Sequence, residues 1–295
     1  MKSGSGVIGD GTVYRLCRND TDYGVCNWLI SENHASYCIS CNLNHTIPNL
    51  LVPDRRDWWS SMEHAKRKLI YTLLALKLPV INKSVDPVGG LAFEFIEDKR
   101  SNPEVENELV LTGHKNGLIT VNIAEANIVR REQVRQSLGE SYRTLLGHFR
   151  HESGHYYYWR LVKTPDTLGK FRALFGDESQ DYQNAMDAYY TNRDTMQREP
   201  QFISHYAQSH PLEDWAECWA HYLHMVDTLE TANDFGIGSV NKINEIDNML
   251  PQWGELTVML NALNRSMGMV DAYPFSLSGL SIKKIRFVHS LVCPN

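Results

Sequence analysis

Five consecutive residues, His151-Glu152-Ser153-Gly154-His155, combine the side chains that a hydrolytic metal site requires. On an α-helix, residues four apart share a face, so both imidazoles can address one ion. Glu152 projects from nearly the same side and can reach a water beside the ion without ligating it. A zinc ion would bring that water's pKa toward neutrality, and the carboxylate would accept its proton and return it to a leaving amine. The alternative is a helix whose histidines merely cap or pack. Leu145, Leu146, Phe149, Tyr156 and Trp159 make the segment apolar, and unpaired imidazoles partly buried there would be costly. Gly154 costs about 1 kcal/mol relative to alanine inside a helix, which suggests that something approaches its backbone closely.

A catalytic zinc needs a third protein ligand and one open position. No His-x-x-Gly-x-x-His extension follows His155, so the metzincin pattern is absent. The candidate stretch lies downstream, in His210-Pro211-Leu212-Glu213-Asp214-Trp215-Ala216-Glu217. Pro211 suits the first turn of a helix, and Glu213 and Glu217 are one turn apart on one face. In the gluzincin arrangement the first acid of such a pair binds zinc and the second hydrogen-bonds a metal-binding histidine from behind. Glu213 is therefore the expected ligand, ahead of Asp214 and Glu217, and Glu217 the expected support. The competing explanation is that these acids only complement a helix dipole. Tyr206 is the expected oxyanion stabiliser, with Tyr222, His221 and His224 as further candidates. His148, three residues before His151, reads as a satisfied histidine and not a ligand.

A second concentration of metal-binding side chains lies near the N-terminus. Cys17, Cys26, Cys38 and Cys41 fall within one short stretch, and Cys38 and Cys41 have knuckle spacing. Four thiolates make a closed tetrahedral site, so a zinc there would be structural. A disulfide pair or free thiols are the alternatives, and His34 or His45 could replace one sulfur. No secretory leader is evident: Met1 to Gly6 has no apolar segment and reads as a flexible leader. Clustered cysteines then favour metal over disulfides, and a cytoplasmic location is the default.

The surrounding chain must position these groups. Its 295 residues suffice for one large or two modest domains, and 42% hydrophobic with 22% charged residues is ordinary globular composition. No apolar run is long enough to span a bilayer. A net charge of −6 gives no basic field for a phosphate backbone, so neither membrane nor nucleic acid is an expected partner. Residues 1–50 read as a small zinc-ribbon-like module and 51–295 as the main domain. A helix is expected from Trp58 to Leu78, ended by Pro79. Strands are expected at Leu91–Ile96, Leu109–Leu111 and Leu118–Ile123, with a hairpin turn at His114–Gly117. Helices are then expected near 124–137, 140–163, 166–175, 178–191, 199–208, 211–230, 240–249, 251–267 and 281–292. The class is α+β: a mainly helical zincin-like domain with a small antiparallel sheet, preceded by the ribbon-like module.

These residues resemble the bacterial zinc-binding metallopeptidases that carry an N-terminal zinc-ribbon domain. The matching segments are Cys26–Leu29, Cys38–Pro48, Leu118–Glu125, Tyr142–Tyr157, His210–Glu230, Asn264–Phe275 and Arg286–His289. The resemblance spans nearly the whole chain and implies a peptidase-like zinc domain. It also implies a further ribbon of two Cys-x-x-Cys pairs, which this sequence lacks, so the module is expected to be truncated relative to the family. The matching Arg265, with Asn264 and Tyr273-Pro274-Phe275, could line a substrate cleft, where Arg265 would pair with a carboxylate or carbonyl; it could equally tie the C-terminal helix to the core. The expected function is zinc-dependent hydrolysis of a peptide or protein substrate, with the peptide adding antiparallel to the strand at 118–123. Two other classes remain open at this point. One is a zinc-stabilised interaction protein that docks a partner through its ribbon and keeps an idle site. The other is an amide hydrolase acting on a non-peptide substrate. Glu152 favours catalysis, because a purely structural site needs no base between its histidines.

Overall fold

A computed structural model describes residues 5–7, 13–31, 36–237 and 245–294, the first of these segments by its backbone alone. The expectations for Met1–Gly4, His34 and residues 240–244 fall outside the described residues. The chain divides into two compact units, 1–149 and 150–295.

The first unit begins with β1 (Ser5–Val7) and β2 (Val13–Leu16), then α1 (Arg18–Tyr23) and β3 (Leu29–Ser31). These strands form an antiparallel sheet of order β1-β2-β3, and Ser5 and Gly6, expected in the leader, belong to it. The short α1 stops at Gly24, whose φ of 69° is the left-handed cap that glycine adopts without strain. Next come β4 (Asn44–Thr46), α2 (Arg55–Ala75), β5 (Ala92–Ile96), β6 (Gly113–Lys115) and β7 (Leu118–Asn122). Their sheet has the order β4-β5-β7-β6. Here the expected antiparallel arrangement is corrected: β4, β5 and β7 run parallel and only β6 is antiparallel to its neighbour. A buried parallel core fits the apolar Phe93, Phe95, Ile119 and Val121, all in the interior, as are Trp59, Met62, Leu69 and Leu73 of α2.

Two strand expectations also change. Residues 109–111 form no strand, because side chains take up their backbone groups. Asp98 Oδ2 accepts from Val110 N at 3.0 Å, and Asn122 Nδ2 donates to the Val110 carbonyl at 3.1 Å. The hairpin partner of β7 is instead β6, which includes His114 and Lys115, and the turn narrows to Asn116 and Gly117 with φ of 50° and 80°. That pair of positive angles is the two-residue turn whose twist matches a hairpin. Since β7 is paired on both sides, it offers no free edge to a peptide; the open edges of this sheet are β4 and β6.

Helices follow: α3 (Ile128–Ser137), α4 (Leu145–Leu161), α5 (Pro165–Phe175), α6 (Tyr182–Asn192), α7 (Pro211–Asp234), α8 (Ile246–Ser266) and α9 (Gly279–Val292). The helix expected at 199–208 reduces to a single 3-10 turn, Tyr206–Gln208. Pro200 cannot continue a helix from residues before it, and the Gln208 side chain instead accepts from Glu199 N at 2.7 Å. The break expected at Pro251 does not occur; α8 runs through it, losing one backbone hydrogen bond near its start. In the second unit an aromatic core of Tyr157, Phe171, Phe175, Trp215, Trp219 and Phe287 joins α4, α5, α7 and α9. Among the described residues no helix is long and apolar enough to cross a membrane.

Candidate functional site

Gly154 explains how two helices come to share one site. A Cβ on Gly154 would lie 2.9 Å from Ala216 Cα and 3.2 Å from Trp219 Cβ, so only glycine admits α7 this close to α4. Two indoles fix the approach: Trp215 Nε1 donates to the Gly154 carbonyl at 2.8 Å and Trp219 Nε1 to Ser153 Oγ at 3.0 Å. The N-terminus of α7 is set by His210, whose Nδ1 accepts from Leu212 N, and by Pro211 in the first turn. Packed this way, one face of α4 meets the first two turns of α7.

The side chains that meet there are His151, His155 and Glu213, whose donor atoms all lie within 4.8 Å of one another. Glu213 Oε2 is 2.9 Å from His151 Nε2, and its Oε1 is 3.4 Å from His155 Nε2. On the far side of the His151 ring, Glu217 Oε1 is 2.8 Å from Nδ1. A carboxylate there fixes the tautomer that leaves Nε2 free for an ion. Burial opposes protonation of His151, yet the two carboxylates outweigh it and hold its pKa well above the ordinary value. Burial likewise opposes ionisation of Glu213, but His155 and His151 hold its carboxyl well below the usual range. Of the three acids weighed as ligand, Glu213 faces the Nε2 atoms of both histidines, whereas Glu217 meets only His151 Nδ1. Asp214 turns to Lys284 Nζ of α9, a buried ion pair, and Lys284 also donates to the Gln201 carbonyl at 3.1 Å.

Glu152 is 8% exposed, and its Oε2 is buried with no hydrogen-bond partner among the described residues. Such an atom is costly unless something polar is meant to meet it. Burial pushes its carboxyl pKa up, opposed by the charges of His151 and His155. Tyr206 packs against His151 with ring centroids 5.8 Å apart, and burial, then the charge on Glu213, raises its phenol well above the ordinary value.

A residue not foreseen from the sequence completes the cluster. Tyr182, the first residue of α6, donates its hydroxyl to Glu213 Oε1 at 2.8 Å. Nothing in its local sequence marks it apart from other tyrosines; only the packing of α6 brings it here. The other oxyanion candidates face elsewhere. His221 Nδ1 is 2.8 Å from Tyr273 Oη, Tyr222 Oη is 3.1 Å from His289 Nδ1, and His224 packs on Trp253 and Tyr273. Arg265 is also separate from the cluster: its guanidinium is exposed and held by both Asp271 oxygens at 2.6 Å. Tyr273 is buried, clamped by Asn261 through its own N–H and carbonyl. His148 is not part of the cluster; its Nδ1 lies 3.6 Å from the Glu125 carboxylate, beyond hydrogen-bond distance.

The four N-terminal cysteines form a second cluster, with all four sulfurs within 4.8 Å of one another and no disulfide among them. Backbone amides point at two sulfurs: Cys38 N donates to Cys17 Sγ at 3.3 Å and Cys41 N to Cys38 Sγ at 3.4 Å. Hydrogen bonding between the sulfurs pulls Cys17 down, chiefly through Cys26, and pushes Cys41 up, chiefly through Cys17. A divalent cation resolves that conflict by letting all four ionise. His45 does not take part; its ring is exposed and 3.1 Å from Thr46 Oγ1. Both donor sets suit zinc: sulfur alone in a closed cluster, and two imidazoles with a carboxylate in a partly open one.

Comparison with known proteins agrees with these two clusters. Residues 55–291 match the family described as "putative zinc-binding metallo-peptidase", and residues 4–52 match a zinc-ribbon domain. Uncharacterised proteins of Mycobacterium bovis and of Mycobacterium tuberculosis strains CDC 1551 and H37Rv are each 40% identical over 296 residues. Each alignment covers 97% of this chain and 84% of the relative. No solved structure matches significantly. The chain belongs to this zinc-binding metallo-peptidase family, and zinc is its cofactor.

Proposed function

We propose that this member of the zinc-binding metallo-peptidase family is a gluzincin-like peptidase, with one zinc held by His151, His155 and Glu213 and with Glu152 as general base. Residues 1–50 are then a structural zinc module built on Cys17, Cys26, Cys38 and Cys41, and residues 51–295 the catalytic domain. The zinc bound at the histidines supplies Lewis-acid chemistry, acidifying water and polarising a carbonyl.

The chain's own residues supply the rest. Glu152 takes the proton of the attacking water on its free oxygen and hands it to the departing amine as the C–N bond breaks. Its buried setting, which raises the carboxyl pKa, makes the ionised form a stronger base. Glu217 holds the His151 ring in one tautomer. Tyr206, whose phenol stays protonated, can donate to the carbonyl oxygen as negative charge develops there. Tyr182 keeps one oxygen of Glu213 engaged.

The observation that carries this reading is the buried, partnerless oxygen of Glu152 beside a cluster of two imidazoles and a carboxylate. The test is Glu152→Gln, assayed on a peptide library with zinc content measured in parallel. Turnover should fall by about 10²–10⁴-fold while zinc and fold are retained. Turnover equal to wild type would remove Glu152 from the mechanism.

A further inference from the structure

We propose that a cleft formed by α2, α3 and the first turn of α4 binds a small phosphorylated ligand, a role separate from peptide hydrolysis. The cleft has a volume of about 470 Å³ and lies wholly in the first unit. Ser60, Ser61, His64, Arg67 and Lys68 of α2 line it, spaced so that they share one helix face, and Arg131 of α3 faces them. No carboxylate is among its lining residues, although the chain as a whole carries a net charge of −6.

The cations have only neutral or already engaged partners. Arg67, 7% exposed, donates Nη1 to the Val25 carbonyl at 2.6 Å. Arg131 donates Nη1 to the Glu125 carbonyl at 2.7 Å, while the Glu125 carboxylate is bound to Arg143 at 3.0 Å. Among the described residues, none of Arg67, Lys68 and Arg131 is ion-paired. Arg67 and Lys68 lie one turn from His64, and Arg131 lines the same cleft, so positive charge is concentrated where a bound anion would be favoured. The field is felt locally: burial, then Lys68 and Arg67, lowers the His64 pKa.

Phosphate fits better than a carboxylate. Ser61 Oγ already donates to the Asp57 carbonyl at 3.0 Å. Two guanidinium groups, an ammonium, an imidazole and the Ser60 hydroxyl still offer more donors than two carboxylate oxygens can accept, and arginine forks match phosphate geometry. The volume falls within the ordinary range for small-molecule sites, large enough for a phosphomonoester. The acidic net charge disfavours an extended polyanion.

The test titrates the zinc-loaded full chain with inorganic phosphate, glycerol 3-phosphate or malonate against sodium chloride of matched ionic strength, following Tm and ³¹P line width. Both phosphates should raise Tm saturably beyond the chloride control. Lys68→Gln with Arg131→Gln, both outside the core, should weaken binding about tenfold or more, one factor of ten for each 1.4 kcal/mol lost. If the double variant fails to fold, the single changes carry the same comparison. Three outcomes overturn the proposal: no effect beyond chloride, malonate binding as tightly as phosphate, or undiminished phosphate binding in the variants, which would place the anion at the histidine cluster or elsewhere.

Discussion

The cysteine cluster and the histidine cluster gather metal-binding atoms in opposite ways. Cys17, Cys26, Cys38 and Cys41 are each at most 4% exposed, and backbone amides point at two of their sulfurs. His151 and His155 keep 13% and 17% of their side chains exposed, share Glu213, and stand beside Glu152, whose buried Oε2 has no hydrogen-bond partner among the described residues. Sulfur donors from short loops close a site completely. Imidazoles on rigid helices, with an acid supplied across the packing interface, leave one side open. The first arrangement suits holding a fold together and the second suits chemistry.

The largest effect expected from this contrast is on stability. Cys38→Ala should remove one of two zinc ions and unfold the ribbon, costing several kcal/mol, because binding energy at such a site is folding energy. His155→Ala should remove the other zinc with a much smaller fall in Tm, since indole hydrogen bonds and the Gly154 contact hold α4 on α7 without it. Elemental analysis with thermal melts checks both, and equal Tm losses would break the contrast. A smaller effect is expected from Tyr182→Phe. Freed from that hydroxyl, Glu213 is less well oriented, and zinc affinity at the histidines should fall about 10-fold, with no change at the cysteines. Chelator competition measures it; unchanged affinity would make Tyr182 a bystander.

The smallest effect concerns pH and a histidine outside both clusters. Burial pushes His221 down to about 4, with Glu217 and Arg150 acting on it in opposite directions. The unfolded chain, with an ordinary value of 6.5, binds a proton that the folded chain refuses. Stability from this group is therefore complete above pH 6.5 and is lost as pH falls toward 4. His221→Asn, which keeps a polar partner for Tyr273, should flatten part of that acid decline in Tm; an unaltered slope would clear His221 of it.

Much of the site was legible before the fold was known. The spacing of His151, Glu152 and His155 needs only helical geometry to put them together, and the Glu213–Glu217 pair declares its helix through Pro211. Gly154 signalled a close approach, and α7 makes it. Less was legible where backbone groups found side-chain partners. Asp98 and Asn122 satisfied the stretch expected as a strand at 109–111, and the Gln208 side chain took the Glu199 amide at the start of the helix expected at 199–208. Strand direction was misread because apolar runs of five residues carry no sign of parallel or antiparallel pairing.

The sequence by itself determined which residues could bind zinc and on which helical faces they lie, because those properties depend on residue type and on spacing within a few turns. The tertiary structure decided which acid joins the histidines, turning Asp214 to Lys284 and Glu213 to the metal donors, and it alone brought Tyr182 beside Glu213. Arg265 went to Asp271 by the same kind of choice. Such pairings join residues far apart in the chain, and only the packing of whole helices fixes which side chains meet.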